Sequence, residues 1–313
     1  NTTGGNNVAI GNSALTANTT ASYNTAVGTL ALTANTTGAQ NTAVGSSAGT
    51  SITTGSYNVA MGVDTLSTAS TASNNTAIGK GAMGATTTGA NNIALGYLSL
   101  AANTTGYSNV AIGKDAMLLN TTGVANTAVG MRALDANLTS NANTAIGADA
   151  LSANTAANNT AVGSDALTAN STGQENTAVG AASLDANTTA SYNTAVGYNS
   201  LTANTTGEHN VAVGRNTLDV NDEGDKNIAI GSGSLGSNSS GDNNIGIGVD
   251  ALDANTTADN NIAIGLDALG SNTTGAKRTA VGVQSSKGSD TETDNTVSVG
   301  YRSMYMDDAT TAD

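Results

Sequence analysis

One pentapeptide, Asn24-Thr25-Ala26-Val27-Gly28, is written again and again along the chain. Its glycine returns as Gly11, Gly28, Gly45, Gly62 and onward to Gly282 and Gly300. The step is seventeen residues, apart from sixteen between Gly147 and Gly163 and eighteen between Gly282 and Gly300. So short a fixed period marks a solenoid, in which each repeat is one coil that buries its apolar side only against the coils above and below. The expected fold is all-β: a parallel β-solenoid or β-roll of eighteen coils with a seventeen-residue period.

The pattern inside the pentapeptide supports a strand. The residue before each glycine is Val, Ile, Leu or Met, and the residue three before it is β-branched, as in Val8, Thr25, Val59 and Ile93. Large residues alternating across a small one have the period of two that a strand requires. Stacked coils would then form a parallel sheet with strands ~4.8 Å apart. Between the large positions stands Ala, replaced only by Gly246 and Ser298. Nothing here drifts to Lys, Glu or Arg, so both faces of the sheet read as packed. One face lines the coil, and a second copy of the chain is the expected cover for the other. Either Ala and Gly would permit close approach there, or Val and Ile would supply the seam. A homotrimer is the expected assembly; a single chain with a second layer folded over from its own coil is the alternative.

After the glycine come two variable positions, a small residue and then a Leu column, including Leu15, Leu32, Leu66, Leu100, Leu134, Leu151, Leu167 and Leu201. Met83, Met117 and Met304 substitute in it, and Gly49 and Ser286 interrupt it. The segment fits a second inward-facing strand, and Asp165 to Asn170 fits a short helical turn with Asp as N-cap; both readings stay open. The coil closes through Ala-Asn-Thr-Thr-Gly, as at 34–38, 102–106 and 203–207, where Asn and Gly accept positive φ and polar side chains bond the turn. A second Asn column, Asn7 and Asn24 to Asn244 and Asn261, opens the strands. Its stacked amides can form a ladder.

Length and composition narrow the rest. The 313 residues would ordinarily suggest two globular domains, but a repeat array needs no second core. One repeat domain over 1–313 is expected, with 283–313 as irregular last coils. There is no Cys, Trp, Phe or Pro, so disulfides and thiolate chemistry are excluded. A net charge of -14 repels nucleic acid and anionic membrane. No apolar run approaches a membrane span. The opening in mid-repeat at Asn1 suggests a segment of something longer.

Asn193-Thr194-Ala195-Val196-Gly197-Tyr198-Asn199-Ser200 resembles the head repeats of YadA-like trimeric autotransporter adhesins, and the longer form ending Ala-Asn-Thr-Thr-Gly resembles repeats of phage tail fibres. The resemblance covers about residues 5 to 305. It implies a parallel β-roll, three chains per fibre and attachment to a cell or matrix surface. The shared residues are scaffold, the return segment is longer than in adhesin heads, and no neck, stalk or membrane barrel is recognisable. Asn295 to Gly300 looks slightly like a neck opening, but Tyr301 to Met304 reads on as another coil.

Chemistry is sparse, and no catalytic or cofactor-binding residues are expected. His209, the only histidine, has no nucleophile arranged with it. Asp149 and Asp165, like Asp250 and Asp267, hold equivalent places in successive coils. At ~5 Å such pairs would match a retaining glycosidase, or they cap turns as solvated carboxylates. Asp219, Asn221 and Glu223 begin a calcium loop whose twelfth place is Ile230 instead of Glu, so they are the one metal motif, for Ca²⁺, and read equally as an acidic turn. Tyr23, Tyr57, Tyr107 and Tyr192 near strand starts, with Tyr97, Tyr198 and Tyr301 after the glycines, can stack on sugars, though scattered surface tyrosines are ordinary. The turn threonines Thr20, Thr37, Thr54, Thr71, Thr88, Thr105, Thr122, Thr139, Thr172, Thr189, Thr206, Thr257 and Thr274 form a column like an ice-binding face. The Asn-Thr-Thr triplets are also glycosylation sequons, with turn chemistry the preferred reason for them.

The expectation is a non-enzymatic extracellular fibre segment on a cell surface or virion, ~85 Å long if all coils stack. It would present a repeated shallow surface to glycans or matrix. Ice binding and a ligand-free spacer are the alternatives.

Overall fold

The computed structural model describes residues 3–288 and 294–304. Every coil contributes one three-residue strand, from β1 (Val8–Ile10) to β9 (Thr144–Ile146) and from β10 (Thr160–Val162) to β18 (Val297–Val299). The residues group into two compact units, 1–158 and 159–313, and the division falls within the sixteen-residue coil. In each unit neighbouring coils pair parallel and in register: Thr25, Ala26 and Val27 lie opposite Thr42, Ala43 and Val44, and Thr160 to Val162 lie opposite Thr177 to Val179. The β-solenoid with its seventeen-residue period is as expected. The expectation for 283–313 lies partly outside the described residues; within them, Thr279 and Val281 pair with Val297 and Val299.

The strand's central Ala points inward and is fully buried, as at Ala26, Ala43 and Ala178, while the two large residues flank it on the outer face. The glycine that follows is required by close approach. At Gly11, φ is +131° and an added Cβ would lie 2.5 Å from the carbonyl oxygen of Gly28 in the next coil.

The segment after the glycine is neither a second strand nor a helical turn; there is no helix among the described residues. It runs as consecutive turns, with Ala31 N–H donating to Gly28 O at 3.3 Å and Asn35 N–H to Leu32 O at 3.1 Å. Leu30 and Leu32, at φ +61° and +50°, take the left-handed conformation at alternate positions. In the first turn Leu30 fills the place where a type II turn needs positive φ. This geometry lets the chain bond both neighbours: Leu30 N–H reaches back to Asn12 O at 2.9 Å, and Leu32 N–H reaches forward to Ala48 O at 3.0 Å. A helix would have spent those donors within its own coil.

The Leu column is core, with Leu32, Leu66, Leu167 and Leu201 fully buried. Its gap at Gly49 is filled from another position. Ile52, buried in place of a turn Asn, brings its Cδ1 to 3.0 Å from where a Gly49 Cβ would stand. At the other interruption the interior turns polar: Ser285 Oγ lies 2.8 Å from Ser298 Oγ and 3.0 Å from Ser303 Oγ.

Candidate functional surfaces

Most coils are locked by two asparagines, and this determines which residues remain for surface chemistry. Asn24 at the strand start and Asn35 in the turn both donate Nδ2–H to the carbonyl of Gly38, each at 2.9 Å. Asn24 Oδ1 accepts the backbone N–H of Asn41 in the next coil at 2.9 Å. The turn asparagines pair amide to amide, with Asn204 Nδ2 on Asn187 Oδ1 at 3.1 Å and Asn221 Nδ2 on Asn204 Oδ1 at 3.0 Å. The longest ladder therefore runs through the turn column; the strand-opening column, where a ladder was expected, bonds mainly to backbone. From Asn18 and Asn24 onward the asparagines of both columns are buried, not partly so as corner residues would be, while Asn7 in the first coil is half-buried. Neither Asn35 nor Gly38 has positive φ; in that coil it belongs to Gly28, Leu30, Leu32 and Gln40. The sequon asparagines are thus interior groups whose Nδ2 is already engaged, twice at Asn35 and Asn204.

The outward strand faces of both units are free of charge. No charged residue occurs in any of the eighteen strands. Ile93 and Leu95 are each 44% exposed, Ile146 and Ile230 each 40%. The Ala and Gly columns face inward, so of the two seams considered, the face offers Val, Ile and Thr. In the single chain these outward residues are half-buried or exposed.

On the turn edge Thr37, Thr54, Thr88, Thr105, Thr206 and Thr274 are exposed; in some pairs the first threonine is half-buried, as at Thr36, and in others, as at Thr87 and Thr88, both face water. The partner hydroxyl bonds the next coil: Thr36 Oγ1 donates to Thr53 O at 3.1 Å.

Charge is uneven: four of the 23 acidic residues lie in residues 1–158. In the second unit Asp225, Asp242 and Asp259 accept the backbone N–H of Glu208, Asp225 and Asp242 at 2.7 to 2.8 Å, so these carboxylates cap coil junctions. Burial pushes the Asp253 carboxyl up from its ordinary pKa, and the charges of Asp250, Asp219 and Asp267 push it the same way. Asp135, Asp185 and Asp219 are raised, again chiefly by burial.

The carboxylates singled out in the sequence have different neighbours. Arg132 grips Asp149 through Nε and Nη2, both at 2.7 Å, while Asp165 accepts Ser164 Oγ. Asp267 pairs with Lys287 Nζ at 2.6 Å, which leaves Asp250 and Asp267 in unlike surroundings. The calcium motif is divided by burial: Glu223 is exposed, whereas Asn221 is interior and its Oδ1 accepts Asn238 Nδ2 at 2.9 Å. No group of three or more His, Asp or Glu among the described residues is placed to hold a metal ion. His209 stacks on Tyr192 from the preceding coil, 4.8 Å between centroids and 6° from parallel. No helix of the described residues is long and apolar enough to cross a membrane.

No protein-family model matches the chain, and no curated protein matches it.

Proposed function

We propose that this chain is a non-enzymatic segment of an extracellular fibre, on a cell surface or virion, in which three copies associate through their strand faces. The carrying observation is the uncovered strand face, apolar or Thr-bearing and free of charge in every strand. Depletion of charge with retention of apolar residues is the composition of an interface core, and contiguous exposed apolar surface on a soluble chain marks an interaction site. The acidic side chains sit on turns and coil junctions, where like charges of neighbouring copies stay in water. The turn edges then carry a similar shallow surface on every coil, tripled by symmetry. Such a shaft would hold glycan or matrix by avidity, without a strong single site.

The test is replacement of outward residues in adjacent coils, Val179→Asp with Val196→Asp. The expected result is a single-chain species that keeps its β-sheet circular dichroism; an unchanged mass in solution would count against the seam. Glycan-array binding by this segment separates an adhesive shaft from a ligand-free spacer. The exposed threonine column favours ice binding as the second reading, and absence of thermal hysteresis removes it.

A further inference from the structure

The turn ladder is broken in the first unit, where three successive coils carry Ile52, Ala69 and Thr86 in place of the amide, all buried. The two sides of the break differ. On the first side the gap is closed by shape, because Ile52 leans toward the empty Leu-column place at Gly49, where a Cβ would meet Ile52 Cδ1 and Leu32 Cδ2, each at 3.0 Å. That commitment draws Ile52 away from the ladder line. Asn35 Oδ1, which in a continuous ladder would accept the next amide, is left buried without a partner.

On the other side nothing larger than a methyl stands at Ala69, and hydrogen-bonding capacity around it is unspent. Thr86, one coil on in the same column, is fully buried, and its Oγ1 has no partner. The carbonyl of Ala72, the equivalent of Gly38, takes one side-chain amide, from Asn58 at 2.9 Å, where Gly38 takes two. Beside the break the strand-opening asparagines bond one another: Asn58, Asn75 and Asn92 each donate Nδ2–H to the preceding Oδ1, at 3.0, 3.3 and 3.2 Å, as Asn126 does to Asn109 at 3.3 Å further along.

We propose that a buried water molecule occupies the place of the carboxamide missing at Ala69, donating to the Ala72 carbonyl and bonding Thr86 Oγ1. A buried water typically makes about three hydrogen bonds and settles where polar groups are otherwise unsatisfied, and a buried hydroxyl left unmade is costly. A water is smaller than the carboxamide it replaces, so the space suits it. Both groups are neutral, so the site takes a dipole and not an ion. The water makes the solenoid interior wet at this corner.

The test uses the full chain and two isosteric or space-filling variants. Thr86→Val keeps the shape and removes the hydroxyl. If water holds that hydroxyl, the variant loses a satisfied bond and its Tm falls by about 2–4 °C; if the hydroxyl is an orphan, Tm stays or rises, which would overturn the proposal. Ala69→Asn supplies the ladder's own amide, displaces the water with a group that reproduces its bonds, and melts no lower than the parent. A high-resolution crystal structure of the parent should show ordered density within hydrogen-bond reach of Thr86 Oγ1 and Ala72 O, absent in Ala69→Asn. A parent map with that position empty would sink the idea whatever the melting data.

Discussion

Leu167 is fully buried at φ +54°, so this residue carries two opposed costs and gains. A left-handed backbone costs an L-residue about 1–2 kcal/mol, and burial of a Leu side chain returns roughly 1.5–3 kcal/mol. Leu167→Ala should therefore lower the unfolding free energy by about 2–5 kcal/mol in denaturant titration. Leu167→Val removes less volume yet should cost more than its lost methylene suggests, because a β-branched residue at positive φ is strained. At Asn204 the reason is polar: Asn204→Leu would strand Asn187 Oδ1, Asn221 Nδ2 and one bond to Gly207 O. Each buried group left unmade costs about 1–3 kcal/mol, whereas Thr206→Ala on the exposed edge should stay within about 0.5 kcal/mol. Asp253 gives a pH signature. Its raised folded pKa means the native state binds more protons than the unfolded chain, so its contribution falls as pH rises from the ordinary carboxylate range through the folded value. Asp253→Asn should flatten the gain in Tm seen when the protein is acidified from neutral toward pH 4; an unaltered slope would argue against it.

The coil is a unit of compensation as well as of repetition. Gly49 breaks the Leu column and Ile52 breaks the turn column in the same coil, and the second fills the space left by the first. Ile52→Asn alone should open a cavity at Gly49 and cost about 2–4 kcal/mol, while Gly49→Leu alone overpacks against Ile52 and Leu32 and costs about 1–3 kcal/mol. The double variant restores both columns and hands Asn35 Oδ1 a donor. Its destabilisation should fall well below the sum of the single ones, with a coupling of about 0.5–3 kcal/mol; simple additivity would refute the exchange. The strand, its period and the buried Leu column were legible because alternation and a fixed spacing are properties of sequence order. The post-glycine path was not, because Leu at positive φ runs against residue preference and is sustained by bonds to the coils on either side, as Leu30 to Asn12 and Leu32 to Ala48 show. The same holds for the ladder: Asn35 reads as turn chemistry until the next coil's amide is placed against it. Of the candidate surfaces, the Thr edge could be read from the regular return of the turn threonines, although adjacency does not reveal that both members of a pair such as Thr87 and Thr88 are exposed. For the calcium motif, spacing along the chain does not reveal that Asn221 is interior.

For the molecule as a whole, stability accumulates coil by coil, each contributing its own closure and an interface with the next. What a single chain does not cover is its strand face, and there the account commits to self-association. Most of the acidic residues lie beyond residue 158, so packing three copies brings like charges together chiefly there, and assembly should tighten as salt screens them. The most direct test is sedimentation equilibrium of the intact 30.4 kDa chain at low micromolar concentration. The account predicts a single species of three times the chain mass, reverting to one chain in the Val179→Asp, Val196→Asp variant; a folded monomer of the unmodified protein across that range would contradict it.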